Sequence, residues 1–197
     1  MPQSRRYKKK KSAGKAILAW IIVLAILAAG VFVFVSVFYE DAKKKLDEMN
    51  YPRTYSTYVE KAAKDYDLDP ALIYAVIHTE SGFDPKAESG VGAKGVMQMM
   101  PSSFEWLQEQ RGCAGQYTED DLFDPEICID YGSYLLKYFY DYYGTERSAI
   151  AAYNAGFVVS DWLNDTNYSS DGKNLDSIPY PETENYVDKV ESAKEMY

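Results

Sequence analysis

The amino-acid sequence predicts a mainly α protein, a helical domain preceded by a single N-terminal transmembrane helix. Three observations predict it. Ile17 to Phe38 is a run of 22 residues without a charge, nearly all apolar. Asp69-Pro70 and Asp124-Pro125 repeat a helix-opening signal, an N-cap side chain followed by proline at the first helical position. Between the turn signals the apolar residues recur at helical spacing, and little of the chain alternates as a strand would.

The elements follow in order. Residues 1–15 form a basic segment, and residues 1–39 together carry seven cations (Arg5, Arg6, Lys8, Lys9, Lys10, Lys11, Lys15) and no acid. As a helix the uncharged run is roughly 33 Å long at about 1.5 Å per residue, which matches the hydrocarbon core of a bilayer. A cleaved signal peptide has an apolar core of about 7–15 residues before a small-residue cleavage site. Here Ala28-Ala29-Gly30 is followed by eight more lipid-compatible residues, Val31 to Phe38. The expectation is an uncleaved anchor over residues 16–39 in contact with the lipid bilayer. The preceding cations place the N-terminus in the cytoplasm and everything after Tyr39 outside.

Residues 40–53 are charged and read as a short helical stalk that stops near Pro52. Residues 54–197 form the outer domain. Its first helix runs from Tyr55 to Tyr66, and Asp69-Pro70 opens a second through about Ser81. Pro101 opens a third to about Arg111, before Gly112. Asp124-Pro125 opens a fourth through Tyr143 to Gly144, a C′ residue. Ser148 to Ala155 is a short helix ended by Gly156, and a last helix runs from Glu182 towards Tyr197.

Charge excludes one class of partner. The chain has 21 basic and 30 acidic residues, so residues 40–197 hold 14 basic against 30 acidic, a net charge of −16. Such a domain is repelled by phosphates, and nucleic acid is set aside. The two cysteines, Cys113 and Cys128, both fall outside the membrane, where a disulfide is permitted and the count is even. The expectation is a bridge between Cys113 and Cys128, the alternative being two separate thiols packed as small hydrophobes. Without neighbouring histidines they make no zinc site.

The second helix carries the chemical signal. Ile73, Val76 and Ile77 form an apolar stripe, and the next position on that stripe is Glu80. A carboxyl there is partly removed from water, which disfavours its charged form, and the negative end of the helix dipole acts in the same direction. Such an acid, protonated near neutral pH, suits protonation of a glycosidic oxygen. Spacing alone supports equally a glutamate that ends a helix at the surface. His78, the single histidine, lies about 200° around the helix from Glu80 and reads as structural or exposed. Gly90, Gly92 and Gly95 match G-x-G-x-x-G literally, but a helix and a Phe83-Asp84-Pro85 turn precede them where a dinucleotide site needs a strand. The better reading is a glycine loop that lets the backbone approach a ligand, with the amide of Gln98 near that surface.

Glu80-Ser81, then Gly95-Val96-Met97-Gln98-Met99-Met100-Pro101, then Ala152-Tyr153-Asn154-Ala155-Gly156 occur in that order. Together they resemble the signature of soluble-lytic-transglycosylase-like (SLT) domains, which belong to the goose-lysozyme-like superfamily. Leu122-Phe123-Asp124-Pro125, Ile178-Pro179-Tyr180, Glu182-Thr183 and Tyr186-Val187 are further echoes, and the resemblance covers about residues 54–197. Val96 and Cys128 depart from the usual pattern.

The resemblance implies a lysozyme-like helical domain that cleaves peptidoglycan glycan strands without metal or organic cofactor. Glu80 matches the catalytic acid, with Ser81 beside it as a supporting hydrogen-bonder. Ser89, Gln98 and Met100 match positions lining sugar subsites. Tyr153 and Asn154 match the floor of the cleft, where the tyrosine hydroxyl helps hold the acid. Glu182 matches a second polar residue in the cleft, with Tyr186 as its neighbour. The implied enzyme is a bacterial lytic transglycosylase that forms 1,6-anhydro-N-acetylmuramic acid. It sits in the cell membrane, single-pass, with its domain extracellular or periplasmic. Two rivals are a hydrolytic lysozyme on the same fold and a catalytically inactive wall-binding module.

Overall fold

The computed structural model describes residues 4–197, with side chains from residue 14 onwards except Glu48. Residues 1–3 and the side chains of Arg5, Arg6 and Lys8 to Lys11 lie outside the described residues, so most of the basic head does too. The chain divides into two compact units, Met1–Asn50 and Tyr51–Tyr197. The first is one helix, α1 (Ser4–Asn50). Its stretch Gly14–Asp47 is the one described helix long and apolar enough to cross a membrane, with mean hydropathy 3.0 and none of that window buried by protein. Ile17 to Phe38 present their apolar side chains outward, which suits α1 to membrane association. The helix continues through the charged stretch after Tyr39 and ends before Pro52.

The second unit is built from helices α2 (Ser56–Tyr66), α3 (Pro70–Ser81), α4 (Pro101–Gln110), α5 (Pro125–Tyr143), α6 (Glu146–Ala155), α7 (Val159–Leu163) and α8 (Pro181–Lys194). Among the described residues no strand forms, and extended pairing is limited to two isolated bridges, Glu88 with Lys94 and Lys94 with Met99. The caps explain where the helices start. Asp69 accepts a hydrogen bond from Ala71 N at 2.9 Å, and Asp124 accepts one from Glu126 N at 2.9 Å, each ahead of a proline at the first helical position. Gly144 ends α5 in the left-handed conformation at φ 78°.

Two details differ from the sequence reading. Helix α6 begins at Glu146 and not Ser148, because Thr145 caps it through Ser148 N. Short elements over Glu119–Phe123, a 3₁₀ turn, and over Gly156–Leu163 appear where loops were read. They carry too few residues for a periodic signal, and the first is closed by a local capping box between Thr118 and Asp121.

Helix α3 is the axis of the domain. Every residue from Leu72 to Ile77 is buried, so the helix is enclosed on all sides up to its last turn. It packs along α8 and α2, while α5 packs against α6 and α2. Glu80 therefore emerges at the point where a buried helix reaches the edge of the core.

Candidate active site

A hydrogen bond joins the last turn of α3 to the side of α8. The Tyr186 hydroxyl of α8 donates to Glu80 Oε1 at 2.7 Å. Tyr186 is buried and Glu80 is partly buried. Burial pushes the Glu80 carboxyl up to about 7, and the Tyr186 hydrogen bond acts against that rise by favouring the charged form. No neighbouring carboxylate is among the causes of the shift. Glu80 is therefore poised between acid and base near neutral pH because of where α3 ends.

Tyr153 does not hold the acid as the resemblance implied. Its hydroxyl donates to Met97 O at 2.9 Å and lies 3.5 Å from Met99 Sδ, so it ties α6 to the segment after the glycine loop. The hydroxyl that reaches the Glu80 carboxyl in this structure is that of Tyr186. The signal for it was present in the Tyr186-Val187 echo, but only packing of α8 on α3 decides which tyrosine reaches the carboxyl. Both phenols are pushed well above their ordinary range by burial, and the Glu80 charge adds to it, so both remain protonated donors.

Ser81 acts on the loop and not on Glu80. Its hydroxyl donates to Val96 O at 2.8 Å, pinning the loop to the end of α3. Gln98 sits at φ 45°, a left-handed conformation that costs a non-glycine residue on the order of 1 kcal/mol. Its amide nitrogen donates to Ala87 O at 3.1 Å and Gly95 O at 3.0 Å, which holds the tight turn closed and leaves the side-chain carbonyl as the group it can offer a ligand. Ser89 Oγ accepts from Ala93 N at 2.9 Å and shapes the turn before it. Asn154 Oδ1 accepts from Thr183 Oγ1 at 2.8 Å, joining α6 to α8 and leaving its amide N–H groups as donors. Met100 occupies the position before α4 and is 38% exposed, and Glu182 is exposed on the first turn of α8. Ser81, Gln98, Tyr153 and Asn154 are thus tied into the frame around Glu80, while Ser89, Met100 and Glu182 are joined to it only through their segments.

The glycine loop serves packing where ligand approach was expected. Gly95 has φ 76°, and a Cβ there would lie 2.0 Å from Leu122 O and 2.9 Å from Cys128 Sγ. The 3₁₀ turn braces the same loop. Lys94, only 7% exposed, reaches Glu119 Oε1 at 3.0 Å and Asp120 Oδ1 at 3.2 Å, and lies over the Phe123 ring, as Lys86 does. This accounts for the Leu122-Phe123-Asp124-Pro125 motif.

The expected bridge between Cys113 and Cys128 does not form, and both cysteines are free. Cys128 is fully buried on α5 and accepts from Met97 N at 3.4 Å, with its thiol pushed up to about 12 by burial. Cys113, after α4, sits beside Tyr131 Oη at 3.3 Å and Gln108 O. Each sulfur already has its own partners. Thiol titration of the unreduced, unfolded protein is expected to find two free thiols, and none would mean a bridge. His78, as the helix geometry requires, faces away from Glu80 and stacks on Tyr51 at 5.1 Å.

A Tyr186→Phe substitution separates positioning from packing. Losing a hydrogen bond that favours the carboxylate raises the Glu80 pKa further, so the alkaline limb of the pH–rate profile is expected to move upward from about 7. An unchanged limb with lower activity would make Tyr186 a packing residue only.

The comparisons with known proteins fit this geometry. Residues 57–175 match the transglycosylase SLT domain. The soluble lytic murein transglycosylase of Escherichia coli K12 is 32% identical over 146 residues, covering 73% of this chain and 23% of that protein. Membrane-bound lytic murein transglycosylase C of Actinobacillus succinogenes is 30% identical over 167 residues, covering 74% of this chain and 47% of its own length. The crystal structure of the 70 kDa soluble lytic transglycosylase from Escherichia coli superposes with a TM-score of 0.68 at 28% identity, covering 77% of this chain and 25% of that one. The chain thus spans less than half the length of each of these relatives.

Proposed function

The chain belongs to the transglycosylase SLT domain family, and from that membership we propose that it is a membrane-anchored lytic transglycosylase of peptidoglycan. The observation that carries this reading is Glu80, raised to about 7 by burial and held by Tyr186. At neutral pH a useful fraction of such a carboxyl is protonated and a useful fraction is not, which suits a group that must give a proton and then take one.

The reaction would cut between N-acetylmuramic acid and N-acetylglucosamine. Glu80 gives its proton to the bridging oxygen as the bond from that oxygen to the muramic C1 breaks, leaving an oxocarbenium-like centre. The muramic 6-hydroxyl then closes onto C1 to form the 1,6-anhydro ring, and its proton passes to the Glu80 carboxylate. The acid is regenerated and no water is consumed. Retaining and inverting glycosidases instead need two carboxyl groups at set separations. Tyr186 would hold the carboxyl rotamer through both steps. Ser81, Ser89, Gln98, Met100, Tyr153, Asn154 and Glu182 would frame or line the sugar subsites.

Helix α1 would place this chemistry against the wall. In this reading residues 16–39 cross the membrane once, the basic head stays cytoplasmic and the helical domain works outside. The basic residues before the span favour that orientation. The test of function is clearance of a purified peptidoglycan suspension by the full-length protein in detergent. Sustained loss of turbidity is expected, and none at any pH between 5 and 8 would favour the inactive wall-binding module. Protease added to intact protoplasts tests orientation. Digestion of residues 40–197 with the N-terminus spared is expected, and a mature chain starting near Gly30 would refute the anchor.

A further inference from the structure

The outer side of α5 carries an array of rings that the site around Glu80 does not use. Tyr134, Tyr138 and Tyr142 recur four residues apart and so lie along one side of the helix. With Lys137 and Asp141 they line a shallow groove of about 340 Å³. Tyr138 and Tyr142 stack with centroids 6.3 Å apart and 14° between planes. Phe157 lies 6.2 Å from Tyr138 and 5.8 Å from Tyr142, and Trp106 of α4 lies 5.0 Å from Tyr138. Tyr142 is 59% exposed and Phe157 is 49% exposed. Tyr134 and Tyr138 pack partly against the core, and the Arg111 guanidinium lies 4.3 Å over the Tyr134 ring, so the rings left uncovered are those of Tyr142 and Phe157. Two adjacent exposed rings at the rim of a groove suit an interaction surface.

The chemistry and the position point to one occupant. We propose that this aromatic strip is a second carbohydrate-binding surface, taking the apolar faces of pyranose units in the glycan strand. The proposal rests on the glycan reading of the Glu80 site. Rings with polar tips suit a ligand that has a C–H face and a hydroxyl rim. Lys137 pairs with Asp141 at 2.8 Å, so the groove offers hydrogen-bonding groups with no net charge, matching a neutral sugar. Stacking of nucleic acid bases is opposed by the domain's net negative charge. The strip is continuous in the chain with the cleft segments. Phe157 comes three residues after Asn154, and Trp106 belongs to the helix that Met100 precedes. A long strand held at both places would gain by multivalency, while a short fragment filling only the cleft would not.

The test uses the full-length protein in detergent with Glu80→Gln as the parent, so that the polymer is bound and not cut. Sedimentation is measured with purified peptidoglycan and with its glycan stripped of peptides. The Tyr142→Ala/Phe157→Ala variant is expected to bind both polymers about tenfold more weakly, and Tyr142→Phe to bind as the parent does. With Glu80 restored, the double variant is expected to cleave a soluble tetrasaccharide fragment at the unsubstituted rate and the insoluble wall more slowly. Unchanged polymer binding overturns the proposal. So does a loss confined to peptide-bearing wall, or a change in elution volume showing that the strip covers a second copy of the chain. If the Glu80→Gln parent binds neither polymer, the glycan reading itself fails and the proposal falls with it.

Discussion

Replacing Glu80 by glutamine is expected to reduce wall lysis by about 10²–10⁴-fold, roughly 3–5 kcal/mol of barrier, while leaving the fold intact. Glutamine keeps the size of the side chain and can still accept from the Tyr186 hydroxyl, so the α3–α8 contact survives. It can neither give nor take a proton. Stability is expected to move the other way. A carboxyl whose folded pKa is about 7, against an ordinary value of 4.5, favours the folded state only while it is protonated. As pH rises from 4.5 through 7 the folded state loses that advantage, and above 7 ionised Glu80 is a net burden. The variant is therefore expected to gain stability over the wild type at pH 8, by up to about 3 kcal/mol, and to gain none near pH 4. Denaturant titration at the two pH values, with wall clearance at matched circular dichroism, checks both halves. Retained activity within about threefold would remove Glu80 from the chemistry.

The second large effect is expected from Gly95→Ala. Its φ of 76° is one that L side chains rarely adopt, and a Cβ would stand 2.0 Å from a backbone oxygen, Leu122 O, that has little room to yield. Strain of about 1 kcal/mol from the backbone conformation adds to an overpacking cost of about 1–3 kcal/mol or more. Gly92→Ala is the matched control. Gly92 has φ 87° with nothing within 4 Å of the added atom, so only the conformational part applies. The difference between the two in denaturant midpoint isolates the close approach of loop and 3₁₀ turn. Activity is expected to fall with Gly95→Ala more than stability at working temperature requires, because the loop carries Gln98 and leads to Met100. Equal effects of the two substitutions would mean that φ alone, and not the close approach to Leu122, sets the need for glycine at position 95.

These two residues show what the sequence could and could not convey. Glu80 stood out as the acidic residue next on the apolar stripe of α3, but that pattern left a surface glutamate equally open and the family resemblance singled it out. The caps at Asp69 and Asp124 drew the helices on either side. The framework of helices α2 to α6 and α8 was legible for the same reason: each begins or ends on a residue with a strong local preference. Tyr186 was read only as a neighbour, and the tie to the acid was assigned to Tyr153. Both are tyrosines in recognisable segments, and which one reaches a carboxyl depends on how α8 lies along α3. Gly95 was read as room for a ligand, since a sequence shows that a glycine is needed but not what presses on it. Cys128 misled in a similar way. An even cysteine count suggested a bridge, whereas its thiol fills space beneath the loop. The aromatic strip on α5 was hidden among nineteen tyrosines, most of them half-buried packing residues whose exposure only the assembled domain decides.

The most direct measurement of the central claim is the chemistry of the new chain end. Purified peptidoglycan digested by the full-length protein in ¹⁸O-labelled water should release fragments that end in 1,6-anhydro-muramic acid, one water lighter than hydrolysis products, resistant to borohydride and free of label. That result follows if Glu80 performs both proton transfers and the muramic 6-hydroxyl is the nucleophile. Label at the muramic C1 end would contradict it and make the enzyme a lysozyme on the same fold.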